Sequence, residues 1–413
     1  MRKILLINPD YSFCNFQLVP PLGLEYLAEE LQTNDYRVDI IDLTLERKRK
    51  LMQKIQRNNY FATGITVRNI DTTNKFSGYY FLPRIKDLVF KIKKIVNVPI
   101  ILGGAGFSIS PKEILKYTGA DYGVFGAGIP ALQILLKKIE KNRIKSGTIL
   151  SHNSKTYLNF SFKRDFINNK KYQTKEARMG VSTKIGCVFN CIYCTYPKIE
   201  GNNLKMRPPK KVIEEVKNLV NRGINQIFFT DSVFNIPRNH AEEICARIIK
   251  KKLSINWLAC LSPIKRCFSK KLLKLMKESG LDFAYFTVDS FSNKILKVYK
   301  KGFTINDIER ALKLCRKEGI KTAVDILFGA PNESRKTVNE TLGFIDKFQP
   351  DNVRVHIGIR IYPATEITKI AENQGIIKKS DDLLQPFFYP LPLALEEYII
   401  QEIKKRSNCQ ILC

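Results

Sequence analysis

The chain has 413 residues, 44% of them hydrophobic and 26% charged, with 69 Lys and Arg against 39 Asp and Glu and a formal charge of +30. That length implies more than one domain, and the ordinary apolar fraction excludes a disordered or fibrous chain. No run of about 18 apolar residues occurs, so no transmembrane helix is expected.

The N-terminal stretch MRKILLINPD carries an apolar run that stops at Asn8-Pro9. It is too short for the h-region of a secretory signal. Residues 3–8 read as a buried first strand, and the protein is expected in the cytoplasm. Leu24, Leu27, Ala28 and Leu31 then repeat at helical spacing. Further strands are predicted at 37–43, 61–67, 98–104 and 122–128, with a helix through 88–96. This alternation predicts an α/β domain over 1–145 with a doubly wound parallel sheet. Ligands on such sheets lie at the carboxyl ends of the strands. Gly23 of PPLGL, Arg68 and Asn69 of RNID, Gly103, Gly104 and Ser108 of GGAGFS and Gly126 of GAG all fall there. The Gly103-Gly104 pair would let a ligand approach the backbone, and a tight turn accounts for it equally. No G-x-G-x-x-G follows a strand and opens a helix, which disfavours a nicotinamide cofactor.

Residues 146–177 are polar with scattered aromatics and read as a linker holding one hairpin at most. Tyr172 is a candidate to line a cavity there. From 178 the alternation resumes. Strands are predicted leading into the loop at 183–197 and at 226–231, 255–260, 283–289, 321–331 and 352–363, each followed by a helical stretch. Six strand–helix units over 178–375 predict a partial parallel (β/α)6 barrel, with its site at the strand C-termini. Residues 376–413 read as a C-terminal extension.

The unusual residues of the barrel again follow its strands: Cys187, Cys191 and Cys194, then Asp231 and Ser232, Asp289 and Ser290, Gly329 and Glu333, and Tyr362. The trio is spaced C-x3-C-x2-C. Three thiolates leave one position of a tetrahedral zinc site open, and no fourth protein ligand is evident nearby. A four-iron cluster suits three cysteines better, because one iron then stays free for a small molecule. The ten cysteines are too sparse for a disulfide framework and point to a reducing compartment. Cys245, Cys260, Cys267 and Cys315 read as packing residues. Cys409 and Cys413 read as part of a mobile terminus, with a second metal site as the alternative. The charge of +30 invites a nucleic-acid partner, but the lysines sit on polar helix faces, as in KDLVFKIKKI, and no RNA-reading motif occurs. A solvated surface is the favoured reading.

PPLGLEYLAEEL, TGITVRNID, GGAGFSISPKEIL and GADYGVFGAG resemble the cobalamin-binding domain found in front of many radical SAM enzymes. C-x3-C-x2-C with Tyr193 before the last cysteine resembles the radical SAM signature. Within that family the chain looks most like the subgroup with tryptophan 2-C-methyltransferase. The resemblance implies a [4Fe-4S] cluster on the three cysteines whose free iron holds S-adenosyl-L-methionine (SAM). It places Asp231, with Ser232 beside it, at the SAM ammonium and Asp289 and Ser290 at a SAM contact where the family carries Glu-Ser. It puts Gly329 and Glu333 beside the adenine, Tyr362 beyond the last strand, and cobalamin on the first-domain residues named above. The family usually has acidic residues where Ala127 and Ile129 stand. The histidines, His152, His240 and His356, all lie beyond the first domain, and D-x-H-x-x-G is absent, so the cobalt would lack a histidine beneath it. Arg68 then either sits under the cobalt or caps a helix or pairs with Asp71.

The implied activity is transfer of a methyl group from SAM, through methylcobalamin, to a carbon or phosphorus centre of a small-molecule substrate. An external electron donor of flavodoxin or ferredoxin type is implied with it. The alternatives are ring closure or rearrangement without methylation, an RNA-modifying radical SAM enzyme, and a cofactor sensor. No residue is assigned a catalytic role.

Overall fold

The computed structural model describes residues 1–12, 18–32, 36–151, 159–173 and 177–412. Cys14, His152 and Cys413 lie outside them.

The first sheet is built from β1 (Arg2–Asn8), β2 (Tyr36–Asp42), β3 (Ala62–Thr66), β4 (Ile100–Gly103), β5 (Tyr122–Phe125) and β6 (Ile149–Ser151). They run in the order β2-β1-β3-β4-β5-β6 with parallel pairing throughout. Along β1, Leu5 and Ile7 enter one hydrophobic cluster while Ile4 and Leu6 enter the one on the opposite face. A parallel sheet covered on both faces requires such an unbroken apolar run. β6 was not expected. It extends this sheet to Ser151, past the boundary read at 145, because short Ile149-Leu150 lacks the length that marks a strand in a sequence.

The second sheet follows β7 (Met179–Val181). A small antiparallel pair, β8 (Lys184–Ile185) and β9 (Lys205–Met206), brackets the cysteine loop. The parallel strands resume with β10 (Gln226–Phe229), β11 (Asn256–Leu261), β12 (Ala284–Asp289), β13 (Thr322–Phe328), β14 (Asn352–Ile357) and β15 (Cys409–Ile411). Their order is β15-β14-β13-β12-β11-β10-β7. Six of these are the expected barrel strands. The seventh, β15, corrects the reading of a mobile terminus: Cys409 pairs with Val353 in a parallel ladder. Trp257, Phe286, Val324 and Val355 pack outward against the helices in one core cluster. Among the described residues no helix is long and apolar enough to cross a membrane.

The segment 159–173 is no loose linker. Arg164, with a fully buried side chain, is paired with Glu25 of the first domain at 2.7 Å and with Glu215 of the second at 3.0 Å. Phe162 stacks on Tyr26 at 3.8 Å between ring centroids. The Tyr26 hydroxyl donates to Glu215, and Arg207 is paired with the same carboxylate at 2.8 Å. Tyr172 is fully buried; its hydroxyl donates to Asp42 at 2.6 Å, and Asn8 donates to the same carboxylate. Buried charges persist only when paired this closely, since leaving water is costly for each.

Candidate cofactor-binding site

Just after β8 the chain turns through Gly186, whose φ is +98°. A Cβ there would lie 2.5 Å from the Asn203 carbonyl oxygen, so only glycine fits. Three hydrogen bonds then shape the cysteine loop. Gly186 N–H donates to Glu200, Cys187 N–H to the Gly201 carbonyl, and the Ser232 hydroxyl to the Gly186 carbonyl. Cys194 N–H donates to the Cys191 carbonyl at 3.0 Å. The three thiols lie within each other's electrostatic reach. Burial pushes the Cys191 thiol up, and Cys194 to about 12. Both hold their protons at neutral pH until a metal displaces them. Among the described residues no set of three or more His, Cys, Asp or Glu converges on one ion. That arrangement does not suit zinc, whereas a cluster takes each thiolate on a different iron.

Beside the trio stands a buried group that the sequence reading only half identified. Lys301 pairs with Asp289 at 2.6 Å, the Tyr193 hydroxyl donates to the same carboxylate, and Tyr193 packs edge-on against Tyr299 at 5.4 Å. The Lys301 charge reaches both Cys191 and Cys194. Asp289 is therefore beside the cysteines, but its carboxylate is committed to Lys301 and Tyr193. The neighbouring Ser290 hydroxyl shares a hydrogen bond with Thr341 and accepts the Ser292 N–H. Lys301 was missed because one lysine in the run YKKG carries no signal beyond surface charge.

Three further expected residues are engaged by protein partners. Asp231 is held by four donors. Its carboxylate accepts Thr183 N–H at 2.8 Å, Lys184 N–H at 3.2 Å, the Thr183 hydroxyl and the Lys184 ammonium at 2.8 Å. With four donors around it and no exposed surface on its side chain, it braces the strand that enters the cysteine loop. Glu333 turns back onto its own loop, accepting Gly329 N–H, Ala330 N–H and the Thr337 hydroxyl. Gly329, at φ +110°, lets that loop approach Gly358 to 3.2 Å from a notional Cβ. Tyr362 is a domain contact: its hydroxyl donates to Asp71 at 2.8 Å, and Arg360 pairs with the same Asp71 at 2.8 Å. That pair also removes Asp71 as a partner for Arg68.

In the first domain, Gly23, Gly103, Gly104 and Gly126 line one cavity of about 790 Å³. It lies at the C-terminal ends of β3, β4 and β5 and runs down between the sheet and the helices Leu22–Gln32 and Gly128–Glu140. Ile185 and residues 198–203 of the second domain close it. Ser108 stands behind this wall, donating to the Gly104 carbonyl at 3.0 Å and accepting Gly126 N–H at 2.9 Å, so it ties two glycine loops together. Arg68 and Asn69 are on the neighbouring loop. The Arg68 guanidinium stacks on the Tyr11 ring at 5.0 Å, the Arg68 backbone N–H donates to the Tyr11 hydroxyl, and the residue is half-buried. Asn69 is exposed, with its backbone hard against Gly106. A notional Cβ on Gly23 meets nothing within 4 Å. The cavity is thus kept open by missing side chains, and its volume and apolar walls fit a large corrinoid ligand.

Residues 14–136 match the B12 binding domain family and residues 181–345 match the radical SAM superfamily. The chain therefore carries a B12-binding domain followed by a radical SAM domain. It is 29% identical over 406 residues to an uncharacterised methyltransferase of Pyrococcus horikoshii, covering 91% of this chain and 84% of that one. It is 22% identical over 462 residues to tryptophan 2-C-methyltransferase of Streptomyces laurentii, covering 91% and 75%. The fold is that of the radical S-adenosylmethionine methyltransferase TsrM from Kitasatospora setae, solved with tryptophan substrate and a SAM analogue. The TM-score is 0.84 at 23% identity, over 96% of this chain and 81% of that one.

Two expected results follow from this radical SAM geometry. Gly23→Leu should fill the cavity and lower cobalamin retention at least tenfold, while stability stays level or rises, since glycine inside a helix costs about 0.5–1 kcal/mol against alanine. Gel filtration followed by the corrin absorption of the protein peak measures this. Asp231→Asn should cost about 1–3 kcal/mol of stability by weakening a charged hydrogen-bond set around Lys184. SAM affinity of the folded fraction should stay within about twofold, because four protein donors already occupy the carboxylate. A thermal melt and a SAM titration at a temperature below it separate the two effects.

Proposed function

We propose that this chain is a cobalamin-dependent radical SAM enzyme that transfers a methyl group from SAM to a small-molecule substrate. The observation that carries the reading is continuity: residues 198–203, which close the glycine-lined cavity, begin only four residues after Cys194. Any corrinoid in that cavity and any cluster on that loop would therefore share one space. The bound groups supply the hard chemistry, with SAM as methyl source and corrin and cluster as methyl and electron carriers.

The chain's own residues do the rest. Cys187, Cys191 and Cys194 would hold the cluster. Asp289 fixes the Lys301 ammonium beside them, where it favours negative charge on thiolates and on a ligand carboxylate. Gly103, Gly104 and Gly126 would admit the corrin edge, with Ser108 holding their loops in register. Arg68, stacked on Tyr11, would present a fixed cation on the corrin-facing loop in place of a histidine. The paired charges at the domain junction keep the two halves aligned and exclude water from the space between them. We infer a flavodoxin- or ferredoxin-type electron donor, a cytoplasmic setting and a small molecule rather than a nucleic acid as substrate.

The test is anaerobic incubation of the reconstituted protein with hydroxocobalamin, reductant, deuterated-methyl SAM and either L-tryptophan or a small-molecule extract of the source cells. Mass spectrometry should find one product heavier by a CD3 group. Products that carry no label, with SAM consumed, would overturn methyl transfer in favour of ring closure or rearrangement.

A further inference from the structure

The loop that carries the cysteines also forms a wall of the glycine-lined cavity, and its two halves are stitched together. A short helix, Tyr196–Glu200, begins just after Cys194. It is fastened to the first domain. The Lys198 ammonium donates to the Ile109 carbonyl at 2.7 Å, and Ile199 packs against the apolar residues on one face of the first sheet. The Ile199 carbonyl oxygen lies 3.5 Å from a notional Cβ on Gly126, on the glycine side of the cavity. Lys198, Ile199 and Glu200 all line that cavity.

The chain then turns back onto the entry to the cysteine loop. Glu200 accepts Gly186 N–H at 3.0 Å, and the Gly201 carbonyl accepts Cys187 N–H at 3.1 Å. Gly201 is at φ +85° and ψ 167°, a conformation open to glycine alone. It has no side chain to fix its carbonyl, and the Glu200 bond beside it sets the direction. Cys187 is thus held by the same segment that walls the cavity. Three cysteine side chains tied to one body remove freedom from the loop between them. At Cys187 that restriction passes to Glu200 and Gly201, and along the helix to the cavity wall. A wall already ordered costs less to order when the cavity fills, so the two occupancies cooperate without contact between the occupants. Linkage makes the effect reciprocal.

We propose that Glu200 is a positioning residue that couples the two cofactor sites: a cluster on the cysteine loop tightens cobalamin binding in the cavity, and cobalamin tightens the hold on the cluster. The proposal deepens the reading given above and rests on it for the identity of the two bound groups.

Binding, not turnover, tests it. Full-length protein, either reconstituted with its cluster or stripped of iron by a chelator, is dialysed anaerobically against hydroxocobalamin, and the bound fraction is read from the corrin absorption. Wild type should bind at least about fivefold more tightly with the cluster in place, the lower end of measured couplings between sites. Glu200→Ala should bring that ratio below about twofold, whereas Glu200→Gln, which keeps an acceptor oxygen, should stay close to wild type. Any direct contact of Glu200 with cobalamin weakens both states of the variant alike and cancels in the ratio. Amide exchange across residues 196–203 of cobalamin-free wild type should slow when the cluster is present. That measurement needs no variant and keeps the test decisive if Glu200→Ala fails to fold. A wild-type ratio below about twofold, a full ratio in Glu200→Ala, a Glu200→Gln variant as uncoupled as Glu200→Ala, or exchange indifferent to the cluster would each overturn the proposal. Cobalamin that binds with no dependence on the cluster removes the coupling and leaves the cavity assignment standing; protein that binds none in either state removes both.

Discussion

Cys191→Ala, reconstituted anaerobically, should hold iron and sulfide at background level and lose the broad absorption near about 400 nm that such clusters give. Cys187→Ala and Cys194→Ala should behave alike. A cluster attached at three points loses a full ligand with each change, and the neighbouring Asp289 carboxylate is already committed to Lys301 and Tyr193. Cys315→Ala is the matched control. Its sulfur is buried on the helix Ile305–Lys317 within the barrel core. It should cost some stability through the lost packing and leave iron content whole. Full iron in Cys191→Ala would overturn the assignment of the loop, and with it the chemistry proposed for the chain.

Arg164→Met should lower unfolding free energy by about 3–5 kcal/mol, the usual cost of leaving a buried charge without its partner. Glu25 and Glu215 are both fully buried, and Arg164 is the cation that joins them across the domain junction. Glu215 would keep Arg207, but among the described residues Glu25 would keep only the Asn169 amide. The variant Glu25→Gln/Arg164→Met should recover part of the loss, since it removes the stranded carboxylate together with the cation. Urea denaturation followed by circular dichroism measures all three proteins. A loss under about 1 kcal/mol for the single change would mean that water reaches this junction and screens the charges.

Much of the fold could be read from the order of residues because parallel strands covered on both sides must be apolar throughout. KILLIN and VPIILGG stand out for that reason. The trio was legible from spacing alone, since a loop that clamps a cluster must bring its ligands from one short segment. The direction of a carboxylate was not legible. Asp231, Asp289 and Glu333 all follow strands, as a ligand-binding residue would, yet Lys184, Lys301 and the Gly329 loop claim them. Partners far apart in the chain decide which acids face a ligand, and no local pattern records them. The stretch around Arg164 was misread for the same reason. Its polar residues resemble a solvated connection until Glu25 and Glu215 are seen from both sides.

The pairing of Val355 with Ile411, next to a hydrogen bond from Asn74 to the Leu412 carbonyl, sets a clock on biogenesis. Asn74 and Leu412 are 338 positions apart. On the ribosome the loop bearing Asn74 emerges long before its partner exists, and β14 has no neighbour on that side until residues 409–411 arrive. An open strand edge in a nascent chain is a template for wrong pairing. Contacts of such high sequence separation also form slowly. Recombinant yield should therefore depend on translation rate and chaperone supply more than on the stability of the finished molecule, and slowing synthesis by growth in the cold should raise the soluble fraction.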